Sequence, residues 1–449
     1  MIMAELRIRE LDEAGCQKSL YIAHGVDSVV DRVDTIHLPD NAPLARRLLA
    51  IFLPTGYPST VSADYTAYHI YNSLQAFSSS IAGLLASRAV LQGLGVGDES
   101  ASATNAMLLN VLQESMGRVA TILFAHRVGS AIEAECKMYR LLADILNDTA
   151  MVSDCLSPML PKLIRVPLLG ASSVFRAMCG VAGGSSKATL SAHFAKGGNI
   201  GELNAKDASQ ETVISLLGMW VGGVVVSYAT STTATWIWLL TLLIAHLSTN
   251  YLAVRSVSMR SINRQRANII FSCLSEDGHA PTPDQVAEQE HVFENSNILR
   301  WKGSKSIGTC EIGAPFPELL RQIGQMHPRT GSAKELRVNV TEVLNIFAEE
   351  QYLLWIDASR RRAVIVLTDS ATVQSQFRAW AHALRAMRAL EQTKEIHVSE
   401  FDVLHLLRST LRDQNAVFQD WITQLEKIGW NPHAPAMETT RTNRIVFER

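Results

Sequence analysis

"TVISLLGMWVGGVVVSYATSTTATWIWLLTLLIAHLSTNYLAV", Thr212 to Val254, is a run of 43 residues that contains no Asp, Glu, Lys or Arg. One straight helix of this length would extend roughly 64 Å, about twice the ~30 Å hydrocarbon core of a bilayer. The segment must therefore fold back on itself. We predict the turn at "YATSTTAT", Tyr228 to Thr235, because Ser and Thr hydroxyls compete for backbone hydrogen bonds.

This turn would leave two helices of unequal length. Val213 to Tyr228 is short for a membrane span, whereas Ala234 to Val254 is long enough. Trp236 and Trp238 near one end and Tyr251 near the other suit the two membrane interfaces. A wholly buried hairpin in a soluble protein stays open as the alternative, because apolarity alone does not separate these cases.

A basic cluster follows the apolar run at Arg255, Arg260, Arg264 and Arg266. Positively charged residues beside a membrane span favour the cytoplasmic side. The cluster therefore predicts an intracellular membrane protein whose C-terminal domain faces the cytoplasm. The organelle stays open.

Composition excludes several classes of protein. The net charge of −2 argues against a nucleic-acid partner. The six cysteines are far apart, with no C-x-x-C pair, which argues against a zinc site or a dense disulfide framework. The N-terminus is charged where a secretory signal would be apolar, so we expect no cleaved signal peptide.

Changes in composition along the 449 residues suggest three parts and a mainly α fold class with an α+β C-terminal domain. The strands "ELRIREL" and "KSLYIAH" would form an N-terminal β-hairpin, turning at residues 12–15. The predicted parts are the hairpin with a polar linker (1–43), a helical domain (44–270) and an α+β domain (271–449). In the last part we predict an antiparallel hairpin of 352–357 and 363–368, with Arg360 to Arg362 at its turn, and helices at about 371–392 and 399–428.

The polar stretch "NAKDASQET", Asn204 to Thr212, precedes the apolar run. Asp207 can act as a helix N-cap with Gln210 as its reciprocal partner three residues later, which leaves Glu211 in the first turn. Capping accounts for these three residues without any chemistry. Capping does not account for Lys206, which could pair with Asp207 or with a lipid phosphate.

Pairs of glycines four residues apart predict close contacts between helices. They are Gly218 with Gly222 and Gly180 with Gly184. A third pair, Gly93 with Gly97, lies in "GLGVG", which fits no phosphate-binding fingerprint and is better explained as a helix C-cap and turn.

Charges at spacings of three and four recur in "CKMYRLLADILND". Lys137, Arg140, Asp144 and Asp148 would lie on one helix face, which is most often a solvated face. If this face points into the helical domain, the charges must pair, and a ligand site or polar path becomes the hypothesis.

Five motifs together resemble the root UV-B sensitive (RUS) family. They are "FLPTGYPSTVSADY", "GLGVGD", "KMYRLLADILND", "HFAKGGNIGELNAKDASQET" and "NYLAVRSVSMRSINRQR", and they occur in the family's order between about Leu44 and Arg266. The resemblance implies a membrane-associated helical core domain and a link to vitamin B6 homeostasis. It carries no established catalytic mechanism.

The resemblance also implies a candidate functional surface at the motif positions. These positions are Lys137, Arg140, Asp144, Asn147, Asp148, His193, Asn199, Lys206, Asp207, Ser209, Gln210 and Glu211. The vitamin B6 link makes pyridoxal phosphate a candidate cofactor, with Lys206 as the amine that would bind its aldehyde. No metal site is expected.

Two hypotheses follow. In the first, the protein is a membrane-embedded scaffold or small-metabolite transporter whose partners are membrane lipid, a small metabolite and a second RUS-family chain. In the second, it is an intracellular enzyme or cofactor-handling protein that uses Lys206, Asp207 and His193. We favour the first, because the sequence contains no recognisable catalytic motif. We also predict that Lys206 and Gln210 join Arg140, Asp144 and Asp148 in one polar cluster.

Overall fold

The structure is a computed structural model that describes residues 6–11, 17–26, 29–37, 51–93, 103–295, 297–302, 305–393, 399–438 and 443–447. It is mainly helical, with a three-stranded sheet near the N-terminus and a mixed sheet in the C-terminal part. The predicted fold class is therefore confirmed.

The helices in the described part of the chain are α1 (Tyr65–Gly93), α2 (Ala103–Ala134), α3 (Cys136–Leu156), α4 (Lys162–Phe194), α5 (Ile200–Tyr228), α6 (Thr232–Arg255), α7 (Arg264–Asp277), α8 (Pro283–Gln289), α9 (Phe316–Ile323), α10 (Val340–Ile346), α11 (Val373–Thr393) and α12 (Glu400–Lys427). The strands there are β1 (Leu6–Leu11), β2 (Gln17–Val26), β3 (Val29–His37), β4 (Ile298–Trp301), β5 (Lys305–Ile312), β6 (Gln325–Met326), β7 (Ala333–Lys334), β8 (Tyr352–Asp357), β9 (Arg362–Thr368) and β10 (Arg444–Ile445).

The N-terminal hairpin is confirmed, because β1 pairs antiparallel with β2. Its predicted turn at 12–15 lies outside the described residues. The predicted polar linker is wrong in part, since β3 adds a third strand antiparallel to β2. The sequence prediction missed this strand because Asp31, Arg32 and Asp34 are charged, although the strand also contains Val33 and Ile36.

Proximity of Cα atoms divides the chain into two compact units. Unit 1 contains the residues up to Met116, Asp144–Arg176 and Lys187–Ser256. Unit 2 contains Gly117–Ala143, Ala177–Ser186 and Val257–Arg449. The predicted division at residues 43 and 270 stays a prediction, although α7 runs without a break through residue 270.

The apolar run forms the predicted helical hairpin in unit 1. α5 ends at Tyr228 and α6 begins at Thr232, with Ser231 capping α6 by accepting a hydrogen bond from the Ala234 N–H (3.1 Å). The prediction that the first helix is short is wrong, because α5 begins at Ile200 and has 29 residues.

The same early start of α5 overturns the predicted cap at Asp207. Asn199 is the N-cap, and Asp207 lies two turns inside the helix, where it is buried. The polar residues of "NAKDASQET" continue the helix and do not begin it. Their side chains are therefore free to make tertiary contacts.

Four described helices are long and apolar enough to cross a membrane: α1, α4, α5 and α6. Within unit 1, Ala82, Leu85 and Ala86 of α1 pack in one cluster with Leu239 and Leu243 of α6. A core made of small and branched apolar side chains allows these helices to lie close together.

Gly218 and Gly222 produce the predicted close contact of α5 with α1. A Cβ atom at Gly218 would lie 2.8 Å from Ser80 Cβ and 3.0 Å from the Phe77 carbonyl oxygen. The prediction for Gly180 and Gly184 is wrong, because a Cβ atom at either position would have no described neighbour within 4 Å. Most of the "GLGVG" turn lies outside the described residues.

In unit 2, β8 and β9 form the predicted antiparallel hairpin, with Tyr352 opposite Leu367 and Asp357 opposite Arg362. Arg361 at the turn has a φ of 50°. β9 also pairs in parallel with β5 and with β10. The predicted helices of this region are confirmed as α11 and α12.

Candidate functional site

Ionisable and amide side chains from three helices meet inside unit 1. α1 contributes Gln75, α3 contributes Asp144 and Asp148, and α6 contributes His246 and Asn250. On α3 and on α6 the two residues are four apart, so each helix presents both side chains on one face. We call these five residues the acid–histidine cluster.

The contacts in the acid–histidine cluster converge on His246, which has no exposed surface. Its Nδ1 lies 2.8 Å from Asp148 Oδ1, and its Nε2 lies 2.8 Å from the Gln75 amide nitrogen. The same amide nitrogen donates to Asp144 Oδ2 at 2.6 Å, and Asn250 also donates to that oxygen. Because Gln75 can only donate from its nitrogen, Nε2 is the acceptor and the His246 proton faces Asp148.

Asp148 is the least satisfied member of the acid–histidine cluster. The imidazole is near it but not aligned for a hydrogen bond, and neither Asp148 oxygen has a hydrogen-bond donor among the described residues. Burial raises the pKa of Asp148 above its ordinary value, while His246 opposes the rise. A buried carboxyl group of this kind can take up and release a proton.

A second cluster lies where α4, α5 and α1 meet. Lys187 Nζ lies 2.6 Å from Asp207 Oδ2 and 2.8 Å from Glu211 Oε2, and His69 Nδ1 lies 3.2 Å from Asp207 Oδ1. Asp207 is buried, whereas Lys187 and Glu211 reach solvent. We call these four residues the Lys187 cluster.

The neighbours of Asp207 on α5 contact the chain that precedes α1. Lys206 Nζ donates to the Ile51 carbonyl oxygen (2.6 Å), and Gln210 Nε2 donates to the Phe52 carbonyl oxygen (2.7 Å). These contacts separate them from the acid–histidine cluster. On α1, His69 belongs to the Lys187 cluster and Gln75 to the acid–histidine cluster, and the two residues are about 9 Å apart along the helix. The single polar cluster predicted from the sequence is therefore two clusters.

The other predicted residues are placed as follows. His193 Nε2 lies 2.9 Å from Asp64 Oδ2, and both are in unit 1. Asn199 is the N-cap of α5 but makes no capping hydrogen bond with its side chain. Asn147 and Ser209 are half-buried on α3 and α5, and Arg140 is half-buried in unit 2.

Lys137 joins a buried ion-pair network in unit 2. Its Nζ lies 2.7 Å from Glu290 Oε2, and Arg266 Nη2 lies 2.7 Å from Glu290 Oε1. Burial alone would raise the pKa of Glu290, but the two cations lower it to about 2. Arg264 is buried as well, and its Nε donates to the Met437 carbonyl oxygen. Two of the four arginines of the basic cluster are thus core residues of unit 2.

Sequence reasoning missed five of the residues that build the two clusters: His69, Gln75, Lys187, His246 and Asn250. A signal for two of them was present. His246 and Asn250 are polar residues four apart in a helix that is otherwise apolar, and this spacing marks a polar stripe on one face. No group of His, Cys, Asp and Glu in the described residues has the arrangement of a metal site.

The protein is thus of a class that combines an apolar helical domain, with ionisable clusters buried in it, and an α+β region in the same chain. Residues 39–278, more than half of the chain, match the family model described as the vitamin B6 photo-protection and homoeostasis domain. The chain belongs to this family, the RUS family.

Curated relatives support this assignment. The chain is 37% identical over 277 residues to RUS family member 1 of Dictyostelium discoideum, covering 61% of this chain and 53% of the relative. It is 35% identical over 265 residues to the protein root UVB sensitive 3 of Arabidopsis thaliana, covering 58% and 60%. It is 24% identical over 401 residues to the Arabidopsis protein root UVB sensitive 2, chloroplastic, covering 87% and 84%.

The matched segments thus span little more than half of the first two relatives. No solved structure matches the chain.

Proposed function

We propose that this protein is a membrane-associated member of the RUS family that transports a small metabolite connected with vitamin B6, and that the acid–histidine cluster is its internal site. The observation that carries the proposal is the position of His246. It lies with two carboxyl groups on helices that pack together, and α1 and α6 are among the candidate membrane spans. Ionisable residues inside such helices are expensive to bury and mark substrate or proton pathways.

The chemistry of the cluster favours some ligands over others. Two carboxyl groups and one imidazole attract cations and hydroxyl groups and repel phosphate. Among the forms of vitamin B6, the unphosphorylated ones therefore suit this site better than pyridoxal phosphate. Protonation of Asp148 would change the charge of the site and so couple ligand binding to proton movement.

Pyridoxal phosphate as a bound cofactor is a separate proposal, and the residues around Lys206 do not fit it. Lys206 and Gln210 are directed to the carbonyl oxygens of Ile51 and Phe52. A phosphate group needs N–H donors or further cations, and carbonyl oxygens would repel it. No step is therefore derived through this cofactor.

Uptake into vesicles tests the proposal. The full chain is reconstituted into phospholipid vesicles, and uptake of radiolabelled pyridoxine is measured with and without a pH gradient. Asp148→Asn and His246→Gln should lose uptake, whereas Glu114→Gln on the exposed surface of α2 should keep it. Uptake by the two cluster variants at the rate of the unaltered protein would contradict the proposal.

Membrane association is tested separately by extraction with alkaline carbonate. The protein should stay with the membranes, and full release into the soluble fraction would end the transport proposal. The proposed orientation, with the C-terminal part in the cytoplasm of an intracellular membrane, depends on Arg255 and Arg260, because Arg264 and Arg266 are buried in unit 2. A second RUS-family chain and membrane lipid remain the proposed partners.

The enzyme hypothesis has less geometric support. Asp207 pairs with Lys187 and His69, whereas His193 pairs with Asp64 and Lys206 donates to Ile51. The three residues of the proposed active site thus take part in three different sets of contacts. A scaffold role would be favoured instead if the cluster variants kept complementation of a null strain.

A further inference from the structure

A polar cavity lies in unit 1, and its lining contains none of the cluster residues discussed above. It has a volume of about 390 Å³, and its polar lining is Ser87, Gln113, Asp154, Ser172, Ser173 and Arg176. These side chains come from α1, α2, α3 and α4. A volume of this size is within the ~300–1,000 Å³ that is usual for small-molecule sites.

An ion pair forms the centre of this cavity. Arg176 Nη2 contacts Asp154 Oδ2, and Ser172 Oγ donates to Asp154 Oδ1 at 2.6 Å. The Asp154 side chain is only 6% exposed, whereas the Arg176 side chain is 44% exposed. The guanidinium group is therefore accessible to a ligand, and the carboxylate is part of the lining of the same cavity.

The position of the pair in the chain makes it costly. Arg176 is near the middle of α4, one of the candidate membrane spans. Charged side chains within membrane-spanning helices are expensive, and they usually mark a functional site or pathway. Stability alone does not explain why this pair lies beside a cavity.

The charges of the cavity select its ligand. Among the described lining residues, Arg176 and Asp154 are the two charged groups, so the lining is neutral as a whole. A ligand with a single charge would displace one partner and leave the other without a counter-charge, which is unfavourable for a group as buried as Asp154. A ligand that carries both charges can replace both partners and keep every charge paired.

We propose that this cavity binds a small dipolar ion of the amino-acid type, whose anionic group pairs with Arg176 and whose cationic group pairs with Asp154. Val90, Leu91 and Leu169 form the apolar part of the lining and would contact its side chain. Ser87 lies on the cavity side of α1 and is exposed, so its hydroxyl is available to the ligand. The site is independent of the proposed transport through the acid–histidine cluster.

Calorimetric titration of the purified full chain in detergent tests the charge requirement. The probes are leucine, isocaproate and isoamylamine, which share an isobutyl group but carry both charges, the anion alone or the cation alone. Leucine should bind saturably, and each singly charged analogue should bind roughly 10- to 100-fold more weakly, as expected for the loss of one charge-assisted contact. Equal binding of isocaproate, or no binding of leucine, would overturn the proposal.

Three variants assign the binding to this cavity. Arg176→Gln and Asp154→Asn should each weaken leucine binding by a similar factor. Because either change can disturb folding, Ser87→Leu serves as a further variant that fills the cavity from α1 and leaves the ion pair intact. Its matched control is Ser115→Leu, at an exposed serine of α2 outside the lining. Ser87→Leu should abolish binding with an unchanged melting temperature, and undiminished binding would place leucine elsewhere.

Discussion

His246 Nδ1 lies 2.8 Å from Asp148 Oδ1, and the imidazole has no exposed surface. A second carboxyl group, that of Asp144, is 3.5 Å from the other ring nitrogen. One histidine therefore lies between two buried acids. Its removal would leave two carboxyl groups in an apolar helical core without their shared neighbour.

The first prediction follows from this arrangement. His246→Ala should lower the free energy of unfolding by roughly 1–3 kcal/mol, the usual cost of leaving a buried polar group without its partner. Adding Asp148→Asn should restore part of the loss, because an amide is easier to bury than a carboxylate. The measurement is thermal unfolding in detergent, with His126→Ala on the exposed surface of α2 as the control. A double variant that is less stable than His246→Ala alone would refute the shared role.

The second prediction concerns Asp207, which pairs with Lys187 and His69 from inside α5. If Asp207 only capped a helix, Asp207→Asn would have a mild effect, because Asn caps a helix about as well as Asp. Because Asp207 is a buried partner of Lys187, Asp207→Asn should lower the free energy of unfolding by roughly 1–2 kcal/mol. This is less than for a fully buried pair, because Lys187 reaches solvent. Glu211→Gln, which affects the exposed partner of the same lysine, should cost less than about 1 kcal/mol. Equal melting temperatures for the two variants would contradict this difference.

The third prediction uses three glycines of α5. Gly218→Ala should destabilise the α1–α5 contact by roughly 1–3 kcal/mol, because its Cβ would meet the Phe77 backbone oxygen. Gly222→Ala should cost less, since the nearest atom there is the flexible end of Leu84. Gly223→Ala is the control: a Cβ atom at this position would have no neighbour within 4 Å among the described residues, so the change should be neutral or slightly stabilising. The three melting temperatures should therefore rise in the order 218, 222, 223.

The fourth prediction concerns pH and Glu135, which lies between α2 and α3 in unit 2. Burial raises the pKa of Glu135 from 4.5 to about 7, against the opposing effect of Arg266. The folded state thus holds this proton more tightly than the unfolded state does. The stability that the proton contributes is complete below pH 4.5 and is lost as the pH rises through 7, by up to roughly 3 kcal/mol.

Hydrogen exchange of the unit 2 amides between pH 4.5 and pH 7.5 measures this loss after correction for the intrinsic rate. Glu135→Gln should remove most of the decline, and Glu349→Gln at an exposed position should not. Glu290 acts in the opposite direction in a separate range, because its pKa of about 2 makes its contribution disappear only in strong acid. A decline that persists in Glu135→Gln would assign the pH dependence to other groups.

The apolar hairpin was predictable because its signals are local. The absence of charge between Thr212 and Val254 and the hydroxyl-rich turn at Tyr228 depend only on neighbouring residues. The two strands that begin at Tyr352 and Arg362 were predictable for the same reason. Register and turn were both contained in one short stretch of chain.

The polar clusters were only partly predictable, because their members are far apart in the sequence. The charged helix face predicted on α3 contains Asp144 and Asp148, yet their partners come from α1 and α6, more than 60 residues away in each direction. At Asp207 a local rule gave the wrong result, since a capping pattern and a helix interior can share the same residues. The helix had already begun at Ile200, and Asp207 pairs with Lys187 from the helix interior.

The connection between α5 and α6 consists of three residues, 229–231. The four Cα–Cα steps from Tyr228 to Thr232 reach at most roughly 14 Å, which is less than half of the ~30 Å hydrocarbon core. In the proposed membrane arrangement the two helices must therefore enter and leave the bilayer as one antiparallel pair. The first turns of α5, which carry Lys206, and the last turn of α6, which carries Arg255, then emerge on the same side of the membrane.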